Sequence, residues 1–313
     1  MSDRAKGLIN LAQKKFQVKS IADLFHLKYC INKLLTLALS SKLTTAQVNL
    51  AQAKTKENPQ AQIIECKELA YGQIQFYTDL YVESVQNISH HVHAFYAGNS
   101  INKTEMAKSN ITNEIEKIKQ VVVDCDITDK YKLLEKAENQ VEDVANVIDL
   151  WQDMVSKQIK EKNIDTSSKI WFQQVLLPQT YWTLFIQKTK HKPTLDRLKN
   201  ELNLCRQKEN EMDKYQVTDP QQLNNLRELA SDLCKQFQRS SSQVEGRNGY
   251  LSMINHTQRG FDKKRIDVLT VVHNFDIKGI DGKTPAQRLF KNQIEHISIF
   301  DYLVENTNSL ALP

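Results

Sequence analysis

Between Gly98 and Gly246 the sequence has no glycine, and only Pro178, Pro193 and Pro220 interrupt that stretch. Glycine and proline punctuate turns and strand ends, so their scarcity excludes a β-rich fold there and predicts helices. No C-x-x-C pair occurs. The five cysteines, Cys30, Cys66, Cys125, Cys205 and Cys234, stand far apart, which argues against a disulfide or zinc framework and fits free thiols in a reducing cytoplasm. No window approaches the roughly 18 apolar residues needed to span a bilayer, and the first residues lack the apolar core of a signal peptide. The expected localisation is therefore cytoplasmic. With 313 residues, 40% hydrophobic and 25% charged, the composition excludes disordered and collagenous classes.

What is present is unevenly placed. Five of the eight glycines, Gly246, Gly249, Gly260, Gly279 and Gly282, crowd into the C-terminal quarter, which predicts a change of architecture near residue 240. From Lys235 to Arg265 seven basic residues face only Glu245 and Asp262, and this surplus of five equals the net charge of the whole chain. The electrostatic handle for a polyanion thus lies in one stretch. The plain alternative is a solvated basic face.

Periodicity gives the elements. Residues 4–16 read as a short helix entered from Ser2-Asp3, and Val18 to Ala22 as a short strand. Helical spacing runs from Leu24 to about Ala53, and a second long helix is expected around Pro59 to Tyr96. Between Thr128 and Gln158 the residues Leu134, Ala137, Val141, Val144, Ile148, Trp151 and Val155 form one seam of three- and four-residue steps that packs against another helix. Asn102 followed by Glu105 offers a capping box, and Asp219-Pro220 opens a further helix through Leu223, Leu226, Ala230, Leu233 and Phe237. After a serine cluster at residues 240–242, a helix carries the local positive charge. A turn at Asp281-Gly282 and a helix opened by Thr284-Pro285 follow.

Two apparent motifs carry no chemistry. His90, His91 and His93 would need to converge on a metal, yet adjacent helical residues point about 100° apart and no carboxylate pair stands at ligand spacing, so they read as a polar patch on a helix. Gly282-Lys283-Thr284 lacks the upstream glycine of a phosphate loop.

Three separated features belong together. Asp3 stands in Ser2-Asp3-Arg4-Ala5-Lys6, Asp23-Leu24-Phe25-His26 follows one short strand later, and Glu245 lies in Ser-Ser-Ser-Gln-Val-Glu245-Gly-Arg-Asn248 before the basic helix. In order and context these segments resemble the ribonuclease-H-like DDE transposases of bacterial insertion sequences, with the motif pattern of the Mutator-type group. The tail from His273-Asn274-Phe275 through Phe290 is similar to that family's closing segment. Taken alone, each feature has an ordinary explanation: a helix cap for Asp3, a core histidine for His26, a first-turn acid for Glu245.

The resemblance implies a mainly α chain: a truncated α/β ribonuclease-H-like core interrupted by a large all-α insertion. Its parts would be residues 1–40 (partial core), 41–238 (helical insertion), 239–292 (the rest of the core with the glutamate helix) and 293–313 (tail). It implies Asp3, Glu245 and His26 as catalytic residues, Asp3 and Glu245 as ligands of two Mg²⁺ or Mn²⁺ ions, and Asp23 and Asn248 as supporting positions. Hard oxygen ligands suit magnesium, and a metal pair activates the attacking oxygen and stabilises the leaving one. Arg239, Arg247, Arg259, Lys263, Lys264 and Arg265 would lie along the backbone of double-stranded DNA, at transposon ends and target, giving affinity without sequence reading. The resemblance further implies a homo-oligomer on DNA and neither a membrane nor a small-molecule substrate. Because the family's first aspartate precedes Asp3, it implies a truncated or split copy that does not cleave DNA alone. The rival expectation is a helical DNA-binding or oligomerisation protein without catalysis, and a second rival is a purely structural scaffold.

Overall fold

The computed structural model describes residues 14, 23–56, 60–128, 131–209, 219–239, 263–278 and 282–289. They are mainly helical, with one two-stranded antiparallel hairpin. The expected helix at 4–16, apart from residue 14, the strand at 18–22 and the serine cluster lie outside the described residues. The chain divides into two compact units, residues 1–241 and 242–313.

The first described helix, α1, runs over Leu24–Lys54. Asp23 starts it: the residue is extended, fully buried, and its Oδ1 accepts from the Phe25 N–H at 2.6 Å and the His26 N–H at 3.3 Å. Two donors that the first helical turn cannot satisfy are thereby paired. The boundary expected between residues 40 and 41 falls inside this uninterrupted helix. Leu27, Ile31, Leu35 and Leu39 form its buried stripe at four-residue steps, so the helix is one packing unit from its cap onward.

Helices α2 (Ala61–His91), α3 (Thr104–Asp124) and α4 (Tyr131–Ala145) complete a four-helix ring in which α1 touches α2 and α4, α2 touches α3, and α3 touches α4. Ile111, Ile115, Ile118 and Val122 of α3 meet Tyr81, Val85 and Ile88 of α2 and Leu134, Val141 and Val144 of α4 in one core. Each such fully buried aliphatic side chain contributes about 1.5–3 kcal/mol of transfer free energy. Helix α2 ends at His91, five residues before the expected Tyr96. Strands β1 (Phe95–Tyr96) and β2 (Ser100–Ile101) form a hairpin here instead, turning through Ala97 and Gly98 at positive φ.

The long seam between Thr128 and Gln158 is carried by two helices, α4 and α5 (Val147–Glu161), divided at Asn146. All seven of its expected residues are buried. Leu134 to Val144 belong to the four-helix core, whereas Ile148, Trp151 and Val155 belong to a second core, and Val147 packs against both. The break turns one amphipathic stripe from one core into the other.

The second core is built by α5, α6 (Thr166–Trp171), α7 (Leu177–Lys188), α8 (Lys192–Glu209) and α9 (Pro220–Gln236). A π turn, Phe172–Leu176, joins α6 to α7. Its cause is Pro178, which has no N–H to offer the Gln174 carbonyl four residues back. That carbonyl accepts from the Asn99 side chain at 3.0 Å. Asp219 caps α9 through the Gln221 and Gln222 N–H groups, as its Asp-Pro start predicts.

The two ends of this helical block meet. The Leu24 N–H, in the first turn of α1, donates to the carbonyl of Arg239, just beyond α9, at 3.0 Å. In the second unit, α10 covers Lys263–Phe275 and α11 covers Pro285–Leu289. Thr284 starts α11 with a reciprocal capping box: its N–H donates to Gln287 Oε1 and its hydroxyl accepts from the Gln287 N–H.

Candidate functional site

A cavity of about 750 Å³ opens within the first unit, walled by α1, α2, the start of α8 and Arg239. Its described lining holds Lys28, Arg197, Arg239, His90, His93 and His191 and not one aspartate or glutamate. Helical spacing explains the α1 wall: Lys28 and Tyr29 lie three and four residues after Phe25, Asn32 lies four and three after them, and Thr36 four after Asn32, all on one face. Phe25 and Tyr29 are both exposed, and their rings stack at 6.2 Å with an interplanar angle of 21°. Asn32 and Thr36 bond to the Tyr81 hydroxyl, each at 3.0 Å, and so tie α1 to α2.

The cations are held by the protein itself. Arg239 Nη1 donates to the Ser89 carbonyl at 2.6 Å, and its guanidinium lies 4.8 Å from the centre of the Phe185 ring. Arg197 Nη1 donates to Asn87 Oδ1 at 2.7 Å. Burial pushes the pKa of Lys28 down, and repulsion from Arg239 adds to it. Burial also lowers that of Arg239, although a guanidinium stays charged at neutral pH. Glu201 stands behind the cavity, accepting from the Gly98 N–H at 2.7 Å with His90 Nε2 3.4 Å away. Burial raises its pKa, and the bonds from His90 and the Gly98 N–H outweigh that and hold it below the ordinary carboxylate value.

The three histidines do not form the expected polar patch. His93 is buried among Tyr181, Trp182 and Phe185. The Tyr181 hydroxyl accepts from the Ala94 N–H at 3.1 Å and shares a hydrogen bond of 2.8 Å with His93 Nδ1. His91 Nε2 lies 3.9 Å from Glu114. Burial lowers the pKa of His93 well below 6.5. It lowers that of His91 to about 4, with His90 repulsion adding and Glu114 opposing. The unfolded chain therefore takes up protons first as pH falls, so stability is complete above about pH 6.5 and is lost as pH falls toward 4. Melting temperature is expected to drop between pH 6.5 and 5, with a shallower drop in His91→Gln. A flat profile over that range would count against neutral buried imidazoles.

Of the residues expected from sequence to act on DNA, His26 and Asp23 sit together at the start of α1, with His26 Nδ1 3.4 Å from Asp23 Oδ2. Asp23 is engaged as a helix cap. Arg239, expected on a DNA-facing stretch, is lodged against Ser89 and Phe185 and lines the cavity. Lys263, Lys264 and Arg265 open α10. Asp3, Glu245, Asn248, Arg247 and Arg259 lie outside the described residues. Among the described residues no cluster of three or more potential metal ligands occurs, and no helix is long and apolar enough to cross a membrane.

Sequence reasoning missed Lys28, Arg197 and the cavity they share. The stacked pair at positions 25 and 29 with a lysine between them was the available signal on α1. Arg197 comes from a helix far away in sequence, and nothing local marks it.

These features describe a helical protein with two packed cores and a cation-lined cavity. Residues 172–313, from the π turn through α7 to α11, match a protein-family model described as a family of unknown function (DUF6399). No curated protein and no solved structure matches the chain.

Proposed function

We propose that the chain is a DNA-handling protein of the DDE transposase kind, in which the helical block is inserted into a ribonuclease-H-like core. The observation that carries this reading is the bond between the Leu24 N–H and the Arg239 carbonyl. A block inserted into another fold must leave it where it came in, and chain ends lying side by side are the condition under which insertion is tolerated. Asp23 and His26 stand at one of those ends and the Glu245 segment follows the other in sequence, as the resemblance requires.

In this reading Asp3 and Glu245 would be the residues to hold divalent cations, which would supply charge stabilisation for phosphoryl transfer. The basic residues from Arg247 to Arg265 neutralise duplex phosphates without reading bases. Purified protein is expected to bind duplex DNA of any sequence. Changing Arg259, Lys263, Lys264 and Arg265 to alanine should weaken binding and reduce the salt slope by up to about four units. Absence of duplex binding at low salt would overturn the reading. In a chain restored with the segment carrying the family's first aspartate, Asp3→Asn and Glu245→Gln should abolish transposition while leaving duplex binding intact. Retained transposition in either variant would remove the metal role and favour the alternative of a helical DNA-binding protein without catalysis.

A further inference from the structure

Of the residues that the transposase resemblance implied, only Arg239 is among the described lining of the cavity between α1, α2 and α8, and the proposed function assigns that cavity no task. We propose that it binds a nucleotide unit: a phosphate group taken by Lys28, Arg197 and Arg239, with an attached flat ring against Phe25 and Tyr29.

Charge identifies the first half of the ligand. Two guanidinium groups, one lysine and no carboxylate line the described walls. Such an arrangement is unfavourable when empty and is relieved by an anion. Asp23 is committed to the N-terminus of α1 and Glu201 to His90 and Gly98, and Glu83 and Asp196, neighbours in sequence of Val82 and Arg197, are not part of the lining. Among the described residues each guanidinium has donors to spare. An arginine carries five N–H donors, and among the described residues Arg239 gives one to Ser89 and Arg197 one to Asn87. Those bonds, with the Phe185 ring beneath Arg239, hold the planar forks in fixed poses, which suits bidentate contact with phosphate oxygens.

Shape and surface identify the second half. Phe25 is 42% exposed and Tyr29 is 48% exposed, an unusual position for two large rings packed one above the other on a helix. Flat aromatic faces beside a cationic groove are how proteins hold bases without sequence preference. Asn32 and Gln86 add amide groups to the same wall. A volume of about 750 Å³ falls in the range of small-ligand pockets and exceeds what an inorganic anion would fill.

The same chemistry comes from two sources, a free nucleotide or an unpaired nucleotide of a single strand, and the experiment separates them. The full-length protein is titrated with nucleoside monophosphates, with a short single-stranded oligothymidylate and with inorganic phosphate. Binding of the monophosphates identifies a free-nucleotide site, and binding of the oligonucleotide alone identifies a strand site. Either is the expected result, provided that Arg197→Gln and Lys28→Gln each weaken it about tenfold or more and Tyr29→Ala weakens it without altering phosphate binding. These residues are exposed or half-buried, so the variants should keep the wild-type melting temperature, and Arg197→Lys, which keeps the charge but not the fork, should bind with intermediate affinity. Failure of both nucleotide probes to bind at millimolar concentration, or affinities unchanged by Arg197→Gln and Tyr29→Ala, would overturn the proposal. Duplex affinity in the same variants reports separately on the proposed function, which places duplex contacts on other residues.

Discussion

Gly98→Ala is expected to destabilise the helical block by about 3 kcal/mol, combining left-handed backbone strain with overpacking. Gly98 has φ +82°, and a Cβ there would lie 2.6 Å from the Cys205 nitrogen and 2.8 Å from the Leu204 carbonyl carbon. Both obstacles are backbone atoms of α8, so no side-chain rotation relieves them. The hairpin tip is also pinned on both sides: the Gly98 N–H donates to Glu201 and its carbonyl accepts from Trp182 Nε1 at 2.6 Å. Moving the tip away from α8 to make room would break both bonds and leave a buried indole N–H unpaired. Chemical denaturation should show a lower midpoint with little change in slope. A variant as stable as wild type would mean that the hairpin does not press on α8. Gly72→Ala is the natural control, because a Cβ there meets nothing within 4 Å and alanine favours the helix by about 1 kcal/mol.

Tyr181→Phe is expected to cost about 2–4 kcal/mol, although it removes a single oxygen. That oxygen serves two buried partners, the Ala94 N–H and His93 Nδ1. Leaving a buried donor or acceptor unsatisfied costs about 1–3 kcal/mol for each group. The phenyl ring of the variant would still fill the space among Trp151, Trp182, Phe185 and Phe237, so lost packing is not the cause. Burial raises the tyrosine pKa so far that the hydroxyl stays protonated throughout the working range. The effect should therefore persist at alkaline pH. A loss below about 1 kcal/mol would mean that water reaches His93 and replaces the hydroxyl.

Much of the helical pattern could be read from the sequence, and the exceptions have local causes. Asp23 and Asp219 start their helices as cap residues do, helical spacing made α1 readable, and the absence of glycine after Gly98 made α3 to α5 readable as helices. The seam from Leu134 to Val155 was visible, but its break at Asn146 was not, because a kink that preserves the periodic stripe leaves no trace in hydrophobicity. The Asn102 capping box did not form. Asn102 donates to the carbonyls of His91 and His93 and fastens the hairpin, while the first turn of α3 is capped from outside: the Thr104 N–H bonds to Asp149 of α5. No sequence pattern announces a cap supplied from a distant helix. The sequence places His93 close to the polar His90 and His91, whereas its neighbours in space are the aromatic rings of Tyr181, Trp182 and Phe185. The cavity escaped notice for the same reason: Lys28, Arg197 and Arg239 come from three distant segments, and only packing brings them together.

The division of the seam at Asn146 gives the block a particular kind of cooperativity. Hydrogen bonds run across the break, from the Asn146 N–H to the Glu142 carbonyl and from the Leu150 N–H to the Asn146 carbonyl, so the backbone path is nearly continuous. The side chains on either side nevertheless answer to different surroundings, Val144 to the four-helix ring and Ile148 to the aromatic core. Loosening either core withdraws support from one end of a shared strut without removing the hydrogen bonds of the other end. The two cores are thus coupled through a shared helical strut, with Val147 packed against both, so that loosening one is felt in the other through the backbone as well as through side chains.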